Sequence, residues 1–229
     1  MYQVFDQEVF EEALWSQKSA VISEALHYRQ YLTGWCSFDK CTALINLILA
    51  TKPSVVVEIG VWGGSSLVPM ATALRANQKG VIYGIDPWDS QESARHQKAD
   101  IHYNFWSSAD HEAVFIELQE FIQKASLEKQ IVLIRETSEE AEPIQEIDIL
   151  HIDGNHGKES SLRDVRKWGP LVKGFVIFDD INWYDRGENT TKDAVAYLDE
   201  HFVKIAEYFS DEGDSLPKWG IWMRAPVSE

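Results

Sequence analysis

Five acidic residues stand at or just beyond the ends of short apolar runs: Glu58, Asp86, Asp153, Asp179 and Asp180. The runs that carry them span 54–58, 81–86, 147–153 and 175–180. A carboxylate closing an apolar strand keeps its charge cheaply only if it leaves the core and meets a partner. Neighbouring strands of a parallel sheet lie about 4.8 Å apart, so acids at their ends converge on one place. Crowded carboxylates repel and raise one another's pKa unless a cation neutralises them. An oxygen-only donor set suits a hard ion such as Mg2+, and Asp153, Asp179 and Asp180 are its expected ligands. His156 follows in Asp153-Gly154-Asn155-His156. Imidazole titrates near neutrality, which makes His156 the candidate base. A divalent ion on a hydroxyl would lower its pKa and fix its position. His151 lies inside an apolar run and reads as a core histidine.

A second motif follows the first run. Glu58-Ile59-Gly60-Val61-Trp62-Gly63-Gly64-Ser65-Ser66 leads from a strand into a helix. Glycine allows a sharp turn and close approach of a ligand, and the helix start offers free N–H groups. The spacing is not G-x-G-x-x-G, and an acid before the first glycine would repel a phosphate. It suits a ligand with positive charge. Asp86 ends the next run, where an acid can hold both hydroxyls of a ribose.

The elements that must position these residues alternate. Apolar spacing predicts helices over 6–31 (Phe10, Leu14, Val21, Ala25, Leu26) and 40–51, the second capped by Asp39. Strands at 54–58, 81–86, 131–134, 147–153 and 175–180 alternate with helices near 65–77, 109–126 and 159–168. A helix near 190–201 and strands at 203–208 and 220–223 follow. The pattern predicts an α/β fold with a doubly wound, mostly parallel sheet behind an N-terminal helical cap over 1–52, the second domain running 53–229. The stretch 88–110 reads as a long functional loop.

On these motifs, E-I-G-x-x-x-G followed by G-I-D-P-W, the chain resembles the class I S-adenosylmethionine-dependent methyltransferases, whose sheet is seven-stranded and Rossmann-like. The resemblance implies that Gly60, Gly64 and Ser65 line the cofactor, Asp86 holds its ribose, and Glu58 organises the loop or faces the amino group. Trp88 would lie over the adenine or fill the core, Ser138 would touch the adenine, and Asp153 would border the cofactor. D-G-x-H with the later Asp179-Asp180 pair resembles the metal-dependent sugar and natural-product O-methyltransferases. That implies Mg2+, or another hard divalent cation, on Asp153, Asp179 and Asp180, with His156 as base. Asn155 departs from the acid that several of those relatives carry. The implied partner is a small-molecule hydroxyl acceptor, with Trp106, Trp183 and Phe105 as flat faces for its ring. Asn182, Trp183, Tyr184 and Asp185 are expected near it.

Composition bounds the alternatives. A net charge of −16 argues against nucleic acid or an anionic membrane as partner. The most acidic block, 101–150, holds none of the five residues above. No apolar run reaches a membrane span, and the N-terminus lacks signal-peptide order, so a cytoplasmic protein is expected. Exposed Trp15, Trp35 and Trp168 would suit a homo-oligomer interface. An NAD(P)-type oxidoreductase and a non-catalytic cofactor-binding relative are the competing readings.

Overall fold

The computed structural model describes residues 7–95, 97, 99–209 and 216–225, with side chains from residue 16 onward. Phe10, Leu14 and Trp15 therefore lie outside the described side chains. The chain begins with two helices, α1 (Gln7–Arg29) and α2 (Phe38–Thr51). Ser37, not Asp39, caps α2, because its hydroxyl accepts the Lys40 N–H at 3.1 Å. The inner face of α2 buries Lys40, Cys41, Leu44, Ile45 and Ile48. Four of these are apolar and recur at helical spacing; Lys40 is the exception on the same face.

The β-branched run forms β1 (Val55–Ile59), whose Val56 and Val57 are fully buried in the two cores on opposite faces of the sheet. Then come α3 (Leu67–Asn77) and β2 (Val81–Ile85). The stretch 88–110 is not one loop. It folds into α4 (Ser90–Ala94) and α5 (Asp100–Ser108). Asp89 caps α4 by accepting the N–H groups of Gln91 and Glu92, whereas α5 buries no residue fully and turns Ile101, Phe105 and Trp106 to the cavity instead of the core.

Next are α6 (His111–Lys124), β3 (Ile131–Ile134), β4 (Ile147–Ile152), α7 (Lys158–Trp168) and β5 (Val172–Phe178). A small hairpin, β6 (Tyr184–Asp185) with β7 (Glu188–Asn189), precedes α8 (Lys192–His201), β8 (Val203–Tyr208) and β9 (Trp219–Met223). Seven strands form one sheet in the order β3-β2-β1-β4-β5-β9-β8, with β9 antiparallel to both neighbours. This is the expected doubly wound, mostly parallel architecture. The N-terminal helices share a core with α3, where Ala25, Leu44 and Ile48 join Leu67 and Met70. Trp168 belongs to the opposite core. It is fully buried and donates its indole N–H to the Ser138 carbonyl at 3.1 Å, so it offers nothing to an interface, in contrast to Trp35, which is 68% exposed.

Strand order reverses between β1 and β4, the place where ligands bind in such sheets. There the two backbones pass very close. Asp153 donates its N–H to the Ile59 carbonyl at 2.8 Å. Gly60 has φ +84°, and a Cβ on it would come within 2.2 Å of the Asp153 carbonyl oxygen. Gly187, in the turn of the small hairpin, has φ +82° but nothing within 4 Å of a Cβ. Gly60→Ala is therefore expected to cost about 2–4 kcal/mol, the strain of a left-handed residue plus a backbone clash. Gly187→Ala should cost only the strain, about 1 kcal/mol. Urea denaturation of the two variants checks this; equal losses would show that the contact with Asp153 contributes nothing.

Candidate active site

The C-terminal ends of β1, β2, β4 and β5 open into a cavity of about 590 Å³. At one end it meets the glycine loop. Asp86 reaches under that loop: Oδ2 accepts the N–H groups of Val61 at 3.0 Å and Trp62 at 2.9 Å, and Oδ1 accepts that of Trp88 at 2.8 Å. Burial pushes the Asp86 pKa up, and the three N–H groups pull against that shift. Trp62, with φ +49°, lines the cavity, and its buried indole N–H has no partner among the described residues. Glu58 lies deeper, fully buried. It accepts the Ser66 hydroxyl and contacts His151 Nδ1 at 2.8 Å, which ties the loop's exit to β4. Burial, then Lys40, lowers the His151 pKa, so this histidine is a neutral core group as expected.

At the other end stand the strand-end acids. Asp153 and Asp179 both grip the ammonium of Lys40, Asp153 at 2.9 Å. Lys40 is 3% exposed. Burial would discharge it, but the two carboxylates hold its pKa well above the ordinary value. Burial and the Asp179 charge push Asp153 well up. Against the upward push of burial, Lys40 holds Asp179 at about 2. Asp180, with φ +49°, turns the other way and contacts His156 Nε2 at 3.0 Å. Burial lowers the His156 pKa, yet the Asp180 carboxylate turns the net shift upward. The Trp183 ring packs between His156 and His102, each 4.8 Å away centre to centre.

Between the two ends runs an aromatic wall. Trp106 meets Trp62 edge-on at 5.1 Å and Phe105 at 5.0 Å, and Trp35 closes on Phe105 at 5.5 Å. Trp35, Trp62, Phe105 and Trp106 all line the cavity and offer aromatic surface to a flat ligand.

A methyltransferase-domain family model matches residues 57–181, more than half of the 229-residue chain. The chain belongs to this methyltransferase family. It is a class I S-adenosylmethionine-dependent enzyme. No curated protein matches the sequence. Among solved structures it is similar to the O-methyltransferase NovP, at 21% identity over 84% of each chain with a TM-score of 0.57. It is also similar to the S-adenosylmethionine complex of TomG from Streptomyces achromogenes, at 13% identity over 90% of each chain and 0.58. A third is the S-adenosylhomocysteine-bound methyltransferase PaMTH1 of Podospora anserina, at 11% identity over 99% of each chain and 0.58. These likenesses concern the fold. Family membership sets aside the oxidoreductase reading.

In the methyltransferase the expected site residues divide. Gly60, Ser65, Asp86, Ser138, Asp153, His156, Asp179 and Asp180 all line the one cavity, as do Trp106, Trp183 and Phe105. Three of the expected cofactor residues do not, and neither do Asn182, the exposed Tyr184 and the buried Asp185. Trp88, 2% exposed, fills the core against Phe115 and donates its indole N–H to the Trp62 carbonyl, so its ring is closed to adenine. Gly64 has φ +80° and faces Leu118 and Val68, so it shapes the turn rather than touching a ligand. Glu58 is buried behind the loop and organises it rather than facing an amino group. Asn182 ties the hairpin down through Pro217 and Asn189, while Asn155 accepts the Gly157 N–H and donates to the Arg95 carbonyl, holding the loop to the end of α4. Sequence reading missed Lys40, Trp35, Trp62 and Asp164. The only signal for Lys40 was a cation on the apolar face of its helix.

Asp164 lines the cavity at 4% exposure and accepts the Ser138 hydroxyl. Burial raises its pKa to about 7, outweighing Ser138, Arg163 and Lys167. The folded state therefore keeps a proton that the unfolded state releases near its ordinary pKa. Stability falls as pH rises from about 4 to about 7 and then levels off. Asp164→Asn removes that dependence. Its stability relative to the parent is expected to improve by about 2 kcal/mol between roughly pH 5.5 and pH 8. Urea melts at the two pH values test this, and a gain that does not grow with pH would refute it.

Proposed function

We propose that this methyltransferase transfers the S-methyl group of S-adenosylmethionine to a hydroxyl of a small, ring-bearing molecule. The observation that carries the reading is one cavity with two ends. A ribose-competent acid and a glycine loop lie at one end, and a carboxylate-supported imidazole at the other. The likeness to NovP, described as an O-methyltransferase, and to TomG, described as acting in tomaymycin synthesis, agrees with oxygen as acceptor atom.

The donor set of the pocket fits the cofactor. Gly60, Ser65, Asp86 and Ser138 would hold it, with the Trp62 side chain lining the same cavity. When bound, it supplies an electrophilic methyl group that the acceptor oxygen takes as the carbon–sulfur bond breaks. The protein's part is proton removal and placement. Asp180 engages His156 through Nε2, so Nδ1 is the nitrogen left to take the acceptor's proton. The aromatic wall would hold the acceptor ring, with Trp183 steadying the His156 ring. No helix among the described residues is long and apolar enough to cross a membrane.

The divalent ion expected on Asp153, Asp179 and Asp180 meets a different arrangement. Asp153, His156 and Asp180 do present ligand atoms within 4.8 Å of one another. Yet two of the three expected carboxylates are shared by Lys40 and the third is engaged by His156. The three acids do not fit one ion as they stand.

His156→Ala is expected to lower kcat by about 10²–10⁴-fold while leaving the Kd for S-adenosylhomocysteine nearly unchanged. Tritium transfer from methyl-labelled cofactor to a panel of hydroxylated aromatic rings and sugars, beside calorimetric titration, measures both. Label appearing on nitrogen, carbon or sulfur, or undiminished turnover in the variant, would sink the proposal.

A further inference from the structure

The geometry points to Lys40 as a built-in cation that takes the place of a divalent ion between the strand-end carboxylates of this methyltransferase, so that the enzyme works without a bound metal. The inference deepens the methyl-transfer reading and rests on it for the site's purpose, but not for the binding behaviour that tests it.

Lys40 comes from α2, outside the sheet, and crosses to the ends of β4 and β5 to reach Asp153 and Asp179. Its side chain is buried, whereas both carboxylates line the cavity. The ammonium thus stands behind the cavity wall and the acids stand in front of it. Two carboxylates on adjacent strands would repel without a positive charge between them. One ammonium offers three N–H donors and one charge, enough to bind both acids from behind. A dication placed among the same oxygens would face a buried ammonium fixed a hydrogen bond away, a repulsion that water cannot screen well there. The remaining acid is matched as well, because Asp180 is engaged by His156. Arg29 does not compete for this role: its guanidinium donates to the carbonyls of Cys36 and Gly34, fixing the segment that leads into α2.

Lys40 does not touch the cavity, so its role is positioning. It orients Asp153 and Asp179 so that their outward oxygens can accept hydrogen bonds from an acceptor hydroxyl or from the cofactor. The atoms that react are elsewhere, at His156 and the methyl group.

The experiment reads Mn2+ by electron paramagnetic resonance in chelator-treated full-length protein. Wild type is expected to leave Mn2+ free in solution up to millimolar concentration, and its melting temperature should not move with Mg2+ or Mn2+. Lys40→Met opens the space between two uncompensated carboxylates and is expected to bind Mn2+ at least roughly tenfold more tightly than wild type. Its melting temperature should fall without metal and recover with it. Lys40→Arg, which keeps the charge, should behave as wild type. Wild-type binding of Mn2+ that Asp153→Asn abolishes would overturn the inference, whether or not Lys40→Met folds. So would a folded Lys40→Met that binds Mn2+ no better than wild type. Titration with S-adenosylhomocysteine in the same samples separates the two ideas. Wild type that takes up the nucleoside but no Mn2+ supports both, whereas wild type that binds no nucleoside strikes the methyl-transfer reading alone.

Discussion

The backbones of β1 and β4 leave the sheet side by side, and the site depends on how closely they do so. The Asp153 N–H bonds the Ile59 carbonyl, and the Gly60 N–H bonds the carbonyl of Ile85 on the other side. Gly60 is in contact with the Asp153 peptide, at a distance that leaves no room for a side chain. This contact sets where the glycine loop starts and where Asp153 ends up. Everything that follows is hung from those two points. Asp86 holds the loop from below by accepting three backbone N–H groups, and Glu58 holds its exit through Ser66. A buried acid with three backbone donors acts as a clamp, because losing it would strand all three.

The second half of the site is built from elements that are far apart in sequence. Lys40 and Asp179 meet across 139 positions. The packing of α2 against α3 brings them together, driven by Cys41, Leu44, Ile45 and Ile48. Apolar burial provides most of the docking force, and the lysine ends up where its charge is needed. The left-handed conformation of Asp180 then splits the Asp179-Asp180 pair, one acid to the lysine and one to the histidine. Adjacent residues in an extended strand would also diverge, but a positive φ at Asp180 fixes the direction of the second one.

Much of this was legible in the sequence. Apolar β-branched runs locate strands whatever their neighbours do, so β3 and β8 fall on the expected residues and the other strands of the seven-stranded sheet differ mainly at their ends. Acids that close such runs have few places to go, and Asp86, Asp153, Asp179 and Asp180 all reach the cavity. What was hidden depends on tertiary packing. Lys40 stands out in the sequence only as a cation on an apolar helix face, and the carboxylates it meets are set by the docking of α2. Trp88 and Trp106 are the same residue type, yet one is core and the other cavity wall, because only packing decides which side of the loop is enclosed. Helix α4 escaped because its five residues carry no apolar stripe, and α5 because its nine residues bury nothing in the core and are interrupted by polar ones. The hairpin of β6 and β7 has only two residues per strand, too few for alternation to register.

The aromatic wall has a consequence of an optical kind. Four of the nine tryptophans, Trp35, Trp62, Trp106 and Trp183, border the cavity, whereas Trp88, Trp168 and Trp222 are sealed in the core. Indole emission responds to the polarity around the ring, so the cavity-facing four respond to filling of the pocket and the sealed three form a constant background. The protein carries its own fluorescent gauge of occupancy, and acceptors can be ranked by titration without any label attached to the enzyme or the ligand.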